Sequence, residues 1–316
     1  MNLMRLFAFL FLPLVFTTCT SESEVYLFSY FKNNGEDGLH LAYSFDGFHW
    51  KPLKNNQSFL TPTAGKDKLM RDPCIIKGKE GKFYMVWTVS WHEKGIGLAS
   101  STDLVHWSEQ QFIPVMIHED SAKNCWAPEL FFDEEKDQYL IYWATTIPNR
   151  FPETDSLGSS GLNHRLYYVT TPDFKNFSET KLLYDPGFNC IDAVIARVKD
   201  QYVMVFKDET LLPKPQKNLH LAFSSDASGP YQKTREAISR SWVEGPTLIK
   251  VKNKFLVYFD QYRDQKMGAI QSEDLMHWED ISDRVVFPEG TRHGTVFKVS
   301  GTEWNKLKEQ IQQEEL

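Results

Sequence analysis

Four segments of the chain alternate apolar and aromatic residues with polar ones, in the two-residue period of β-strands. They are rich in aromatic and β-branched residues, which favour strands. A shorter apolar run and a turn precede each of them. The segments are 82–88, 138–145, 201–208 and 254–262. We therefore predict a pair of adjacent strands, repeated four times along the chain.

A short phrase of Ser or Thr, any residue, and Asp recurs between these strand pairs. It occurs five times, and its aspartates are 57, 70, 53 and 48 residues apart. A recurrence at roughly 40–50 residues, lengthened by insertions, is typical of propeller blades. The aspartates are Asp46, Asp103, Asp173, Asp226 and Asp274. We interpret them as outer-turn residues that bond local backbone and do no chemistry.

The last opening strand, from His293, has no aromatic strand after it. Its partners are expected at the other end of the chain, in 25–31, 38–44 and 48–53. The predicted fold is therefore an all-β, five-bladed β-propeller over residues 25–300. Its first blade is closed by the C-terminal strand, which leaves no free sheet edge at the junction.

Two further features lie outside the repeat. Apolar residues at helical spacing predict a short C-terminal helix over 302–316. Two insertions, 147–163 and 210–217, each follow an aromatic strand. Both are therefore expected on one face of the disc, at the rim of any central pocket.

The N-terminus has the pattern of a targeting segment. Arg5 precedes an apolar run at 6–16 that is too short to cross a bilayer as a helix. Cys19 follows, and the arrangement resembles a bacterial lipoprotein signal, with residues 1–18 removed and Cys19 lipidated. We expect a lipid-anchored protein in the periplasm or on the surface of a Gram-negative bacterium, or otherwise a secreted one.

Composition narrows the range of partners. The 316 residues are 41% hydrophobic and 14% aromatic, which is ample for a core, and they carry a net charge of −7 without a basic run. Nucleic acid is therefore not expected as a partner. Cys74, Cys125 and Cys190 remain after the leader, and an odd number favours buried free thiols over a disulfide framework. The oligomeric state stays open.

The candidate chemistry lies at the propeller axis. The first strand of each blade lines that axis, so the residues at the heads of these strands converge. They are Asp72, Glu129, Asp192, Glu244 and His293. Each alone has a structural interpretation, such as a turn or a core histidine, but a shared position along the blades favours function. Neighbouring carboxylates have separated pKa values, and glycoside hydrolysis needs one protonated and one ionised acid.

These segments resemble glycoside hydrolase family 43 and its five-bladed relatives. Five motifs stand in the family's order along the chain: Arg71-Asp72-Pro73-Cys74-Ile75, Trp126-Ala127-Pro128-Glu129, Ile191-Asp192-Ala193, Glu244-Gly245-Pro246 and His293-Gly294. Ala193 and Glu129 depart from the family's usual proline and aspartate, which marks a divergent branch.

The resemblance implies a role for each central acid. Asp72 would be the general base, Glu244 the general acid, and Asp192 the residue that orients the acid and tunes its pKa. Inversion at arabinose, xylose or galactose residues is implied as well. The resemblance requires no cofactor, and it allows a calcium ion in the channel near His293, contacted through water.

Further residues are predicted to bind the sugar. Trp91 and Trp126 offer aromatic faces, and Lys207 is expected to point inward. Arg165 either forks onto sugar hydroxyls or bridges to an acid. The full predicted set is Arg71, Trp91, Trp126, Glu129, Arg165, Lys207, Arg292 and His293.

The sequence therefore predicts a glycosidase that acts on an oligosaccharide or polysaccharide. An inverting, exo-acting α-L-arabinofuranosidase is the leading activity. A β-xylosidase or an exo-galactosidase is the nearest alternative. A non-catalytic glycan-binding propeller and a glycoside phosphorylase also stay open, the latter because Arg71, Arg165, Lys207 and His293 offer positive charge for phosphate.

Overall fold

The protein is described by a computed structural model over residues 24–234 and 236–314. Within these ranges, twenty strands form five four-stranded antiparallel sheets, the blades of a propeller. The predicted leader and Cys19 lie outside the described residues. The described ranges contain no helix that is long and apolar enough to span a bilayer.

The strands follow the predicted repeat. In chain order they are β1 Val25–Tyr30, β2 His40–Ser44, β3 Lys51–Pro52, β4 Arg71–Lys77, β5 Phe83–Thr88, β6 Ile96–Ser101, β7 Gln111–Ile113, β8 Trp126–Asp133, β9 Gln138–Thr146, β10 His164–Thr171, β11 Lys181–Tyr184, β12 Cys190–Val198, β13 Gln201–Asp208, β14 Asn218–Ser224, β15 Gln232–Lys233, β16 Glu244–Val251, β17 Lys254–Gln261, β18 Lys266–Ser272, β19 Glu279–Asp280 and β20 Gly294–Val299. Blade I holds β20 and β1–β3, and blades II to V hold β4–β7, β8–β11, β12–β15 and β16–β19, each from the axis outward.

The ring closes as predicted. β20 pairs with β1 along its whole length, from Val25 opposite Val299 to Tyr30 opposite Gly294. The innermost strands β20, β4, β8, β12 and β16 contact one another in that order around the axis. Apolar clusters between neighbouring blades form the core, so the axial channel is lined by the heads of five inner strands.

The recurring aspartates stabilise outer turns. Asp274 is representative: its Oδ1 accepts backbone N–H bonds from Met276 and His277, and the Ser272 hydroxyl accepts one from Leu275. The same pattern occurs at Asp46, Asp103 and Asp173. These residues are scaffold, as the sequence indicated.

The C-terminal helix α1 spans Gly301–Glu314 and packs on the outside of blades I and II. Its apolar stripe of Trp304, Leu307 and Ile311 is buried. Ser300 and Glu303 form a capping box, because the Ser300 hydroxyl accepts the Glu303 N–H and the Glu303 carboxylate accepts the Ser300 N–H.

Two further predictions hold in the fold. The insertions after β9 and β13 meet each other, since the N–H groups of Leu211 and Leu212 both donate to the Leu157 carbonyl. Both insertions follow strands that end where the inner strands begin, so they lie on the face with the channel mouth. Cys74, Cys125 and Cys190 are buried and free.

Candidate active site

Each of blades II to V begins its innermost strand with a β-bulge. The pairing with the second strand slips there, and one residue has a positive φ angle. These residues are Asp72 (φ 52°), Ala127 (46°), Asp192 (50°) and Gly245 (59°). Bulges re-aim side chains and are frequent beside functional sites. The four bulges therefore turn side chains toward the mouth of the axial channel, which we call the funnel.

The bulges correct the expectation that five residues hold one shared position. Asp72 and Asp192 are at the bulge itself, Glu244 is one residue before its bulge, and Glu129 is two residues after. β20 pairs without a slip, so His293 precedes a regular strand. The side chains converge, but Glu129 is buried whereas Glu244 stays partly exposed.

The neighbours of Asp72 hold it ionised. Its Oδ1 is 3.2 Å from Nδ1 of His293, and its Oδ2 accepts a 2.8 Å hydrogen bond from the Thr88 hydroxyl. Burial alone raises the pKa of this carboxyl, but the charge and hydrogen bond of His293 outweigh burial and hold the pKa at about 2.

His293 is correspondingly cationic. Burial lowers the pKa of its imidazole, but the carboxylate of Asp72 and the charges of Asp192 and Glu129 outweigh burial and raise the pKa to about 9. At neutral pH, Asp72 and His293 are therefore a carboxylate and an imidazolium in contact.

Asp192 has the opposite electrostatics. Burial raises the pKa of its carboxyl to about 6 in spite of the positive charges of His293 and Lys207. The negative charges of Glu244 and Asp72 act in the same direction as burial. The funnel therefore holds one carboxyl that is fully ionised and one that titrates close to neutrality.

Gly245 connects Asp192 to His293. Its N–H donates a 3.0 Å hydrogen bond to Oδ2 of Asp192. A Cβ atom at this position would lie 2.2 Å from Cγ of His293, at a φ of +59°. The close approach and the left-handed backbone both require glycine, which gives the Glu-Gly-Pro motif a physical reason.

Glu244 is contacted by two cations. Its Oε2 is 3.1 Å from Nζ of Lys207, and its Oε1 is 3.4 Å from a terminal nitrogen of Arg292. Lys207 is 1% exposed, points inward, and also pairs with Glu209 at 2.6 Å. Burial lowers the pKa of Lys207, but Glu244 and Glu209 outweigh burial and raise it, so the ammonium is charged. Arg292 also donates a 2.5 Å hydrogen bond to Asp260.

Glu129 lies deeper than the other acids. The Thr295 hydroxyl donates a 2.9 Å hydrogen bond to its Oε1. Burial raises the pKa of its carboxyl to about 7. At 3% exposure it offers almost no surface to a sugar, so its influence on the site is through charge and packing.

Arg71 takes a different position from Arg292. One nitrogen donates a 3.0 Å hydrogen bond to the side-chain oxygen of Asn34. The guanidinium lies 4.3 Å from the ring centroid of Trp91 and 4.7 Å from that of Phe31. In the described part of the chain, Arg71 forms no ion pair, so it clamps no carboxylate.

The two predicted tryptophans form one aromatic corner at the mouth of the funnel. Trp91 and Trp126 meet edge to face with ring centroids 5.3 Å apart, and the Trp126 indole N–H donates to the Trp91 carbonyl. Trp91 is 38% exposed, which leaves a face for a ligand. The ring of Trp126 also lies against His164.

The structure favours the second interpretation of Arg165. This side chain is 0% exposed and pairs with Asp185. It also donates hydrogen bonds to Asn163 and Thr154, at 2.9 and 2.8 Å. Arg165 therefore anchors the insertion after β9 and has no surface for a sugar hydroxyl.

Several site residues were missed from the sequence. Thr88, Lys207 and Asp260 share one position, the seventh of the repeated aromatic segment, and each lies opposite the residue that stands before or at the bulge. Only Lys207 was predicted. A shared pattern could have located this position. The pattern is Lys or Gln, then an aromatic residue, then three residues, then a second aromatic residue. Tyr262 was also missed: its ring centroid lies 5.0 Å from Nζ of Lys207 and 6.5 Å from the ring centroid of Trp242.

The described residues contain no group of three or more His, Cys, Asp or Glu side chains arranged to hold a metal ion. His293, the residue expected near calcium, directs Nδ1 at Asp72. Calcium prefers oxygen ligands, so an ion near His293 would contact this residue only through water, and calcium binding stays a prediction.

A five-bladed propeller with an ionised carboxylate and a second, cation-contacted carboxylate in its axial funnel fits a glycosidase. The chain belongs to the family 43-related glycoside hydrolases: residues 22–305 match the family model described as "Probable glycosyl hydrolase domain".

Similar proteins carry named activities of their own. An α-L-arabinofuranosidase of Bifidobacterium longum subsp. longum is 24% identical over 184 residues, which is 52% of this chain and 17% of that protein. This chain thus spans about a sixth of the length of that relative.

Solved structures share the fold at low identity. An α-L-arabinofuranosidase from Lactobacillus brevis superposes with a TM-score of 0.52 at 18% identity, covering 67% of this chain and 72% of that chain. An exo-β-1,3-galactanase from Clostridium thermocellum has a TM-score of 0.52 at 13% identity, covering 70% and 50%. These matches support the fold alone.

Proposed function

We propose that the protein is an inverting, exo-acting glycoside hydrolase with α-L-arabinofuranosides as its leading substrates. Asp72 activates water as the general base, Glu244 protonates the leaving oxygen, and Asp192 positions the acid. The observation that carries the proposal is the contact between Asp72 and His293. An imidazolium at 3.2 Å keeps a buried carboxylate ionised and ready to accept a proton from water.

The cations around Glu244 would stabilise the carboxylate that remains after it has acted as the acid. When Glu244 gives its proton to the leaving oxygen, negative charge develops on its carboxylate. Lys207 and Arg292 already contact both oxygens, so the charge appears where positive groups stand ready. Such prearranged charge stabilises the transition state without reorganisation.

Asp192 interacts with both the proposed acid, Glu244, and the proposed base, Asp72. Its carboxyl is bonded to the backbone next to Glu244, through the Gly245 N–H. Its charge is coupled to those of His293 and Lys207. Changing its protonation therefore alters the field at both the base and the acid.

Two observations support the leading substrate and the exo mode. The Bifidobacterium relative, 24% identical over 184 residues, is named an α-L-arabinofuranosidase. The joined insertions wall part of the funnel mouth, which suits recognition of a chain end. A β-xylosidase or an exo-galactosidase remains the nearest alternative, because loops and not the fold determine the sugar.

The phosphorylase alternative has less support from the site. Binding phosphate needs cations that are free of carboxylates. Lys207, Arg292 and His293 each contact an acid already, and Arg165 is fully buried. Of the four cations predicted to bind phosphate, Arg71 alone forms no ion pair within the described residues.

The test is release of monosaccharide from a panel of arabinan, xylan, arabinogalactan and aryl glycosides. Proton NMR of the first product then gives its anomeric configuration. We expect free L-arabinose, with inverted configuration, at a rate independent of phosphate. Retention of configuration, or turnover that requires phosphate, would contradict the proposal.

We further propose export and lipid anchoring through Cys19, on the pattern of the first residues alone. A Cys19→Ala variant should move from the membrane fraction to the soluble exported fraction. Fractionation that shows no shift would contradict it.

A further inference from the structure

A second pocket opens beside the funnel, at the boundary of blades II and III. Its volume is about 430 Å³, and its walls include Trp91, Trp126 and Lys123. No Asp or Glu lines this pocket among the described residues. That is unusual for a chain of net charge −7, with four carboxyls in the adjoining funnel.

The pocket is continuous with the catalytic centre. Thr88 donates to Asp72 and accepts the N–H of Ala127, the residue after Trp126. Trp91, on the other wall, stacks on Arg71, which is the residue before Asp72. A sugar ring against these tryptophans would therefore be next to the ring that occupies the funnel.

Two cations have no acidic partner within the described residues: Lys123 lines the pocket, and Arg71 lies against the ring of Trp91, which lines it. Lys123 donates one hydrogen bond, at 2.9 Å, to the Gly161 carbonyl, and its ammonium has three donors. Arg71 bonds only the neutral side chain of Asn34, and its guanidinium has five donors. Neither forms an ion pair within the described ranges, whereas Lys207, Arg292 and His293 all do.

We propose that this pocket binds an anionic residue of the glycan, a sugar ring carrying a carboxylate or a sulfate, next to the bond that is cleaved. The inference rests on the proposed glycosidase function of the funnel. The tryptophans would stack on the apolar face of the ring, while Lys123 and Arg71 bind the anion. The alternative is that Arg71 only balances the charge of Asp72 and that Lys123 only fastens the insertion.

The test measures binding, so that it does not depend on which sugar is cleaved. The protein is titrated with methyl β-glucuronide, with the 6-sulfate of methyl β-glucoside, and with neutral methyl β-glucoside, and the indole N–H signals of its tryptophans are followed by NMR. A charge-assisted contact is worth about tenfold or more in Kd. We expect one of the two anionic sugars to bind at least that much more tightly than the neutral one.

A matched pair of variants separates the pocket from general charge. Lys123→Gln should reduce the ratio of neutral to anionic Kd toward one, while Lys51→Gln, on the exposed strand β3, should leave it unchanged. Preference for the carboxylate or for the sulfate supports the inference and identifies the anion. Equal binding of all three sugars, no binding of any, or an unchanged ratio in Lys123→Gln would overturn it. Anion binding without glycan cleavage would instead leave the pocket intact and remove the proposed hydrolase.

Discussion

At the residue scale, the proposed mechanism depends on one buried ion pair. Asp72 and His293 come from opposite ends of the chain and meet only because β20 closes the first blade. Removing one partner of a buried pair leaves an uncompensated charge, so each residue fixes the protonation of the other. The ionisation of the proposed general base is thus a property of the pair.

Replacing His293 by Asn should change the pH dependence of activity. Without the imidazolium, burial raises the pKa of Asp72 from its present value of about 2. The acid limb of kcat/KM should then move upward by about one to three pH units. His277→Asn is the matched control, because its ring bonds an outer-turn aspartate, and its profile should stay as in the wild type. An unmoved acid limb in His293→Asn would separate His293 from the base.

The buried site also predicts how stability depends on pH. The folded pKa values of Asp192 and Glu129 are raised to about 6 and 7, and that of His293 to about 9. A group whose pKa is raised by folding contributes stability at low pH and loses it as pH rises through the folded value. All three act in the same direction between about pH 4 and 9.

The midpoint temperature of thermal unfolding, Tm, should therefore be highest in mildly acidic solution and should decrease toward pH 9. The largest change within this range comes from His293, whose pKa is about 6.5 when unfolded and is raised to about 9 in the folded protein. We expect a decrease in Tm of several degrees between pH 6 and 9, measured by calorimetry. A Tm that is constant or rises over this range would contradict the assigned charges.

At the element scale, the bulges account for most of the difference between prediction and structure. The first residues of the inner strands could be located from the sequence, because the strand period and the Ser/Thr-x-Asp turn motifs mark their positions. The register shift that puts Asp72 and Glu244 at different positions could not be predicted. It depends on a positive φ angle, which occurs at residues as different as Ala127 and Asp192. Backbone conformation of that kind is decided by contacts between blades.

Gly245→Ala tests the bulge of blade V. The new Cβ would meet the His293 ring at 2.2 Å in a strained backbone, so both stability and activity should fall, the latter by about tenfold or more. Gly187→Ala is a matched control, because its φ is +81° and nothing lies within 4 Å of its added Cβ. The control should lose only about 1 kcal/mol of stability and keep its activity. Equal effects in both variants would show that strain alone, and not the His293 contact, matters.

At the scale of the whole molecule, the fold was predictable and the partners of the side chains were not. Five Ser/Thr-x-Asp turn motifs and one unpaired strand were enough to predict the ring of blades and its closure. The burial of Arg165 was not predictable, because its partner Asp185 follows β11 and reaches it only through tertiary packing. The role of Thr88 depends likewise on a contact with the next blade.

Closure of blade I by β20 should also determine whether the propeller unfolds cooperatively. A chain ending at Arg292 lacks β20, so blade I loses its axial strand and the channel loses His293. A chain ending at Ser300 lacks only α1 and exposes the apolar surface under Trp304. We expect the first to lose cooperative unfolding and the second to keep it with a lower midpoint in denaturant. Cooperative unfolding of the shorter chain would contradict closure by β20.

The central claim is that Glu244 protonates the leaving group at the axis of the propeller, and its most direct test is a leaving-group comparison. Glu244→Gln is assayed on an unactivated disaccharide glycoside and on a dinitrophenyl glycoside of the same sugar, with Glu289→Gln on an exposed loop as the control. General acid catalysis contributes about 10²–10⁴-fold. We predict a loss of that size on the disaccharide, less than about tenfold on the activated substrate, and no change in the control. The same fold-loss on both substrates, or no loss on either, would contradict the account.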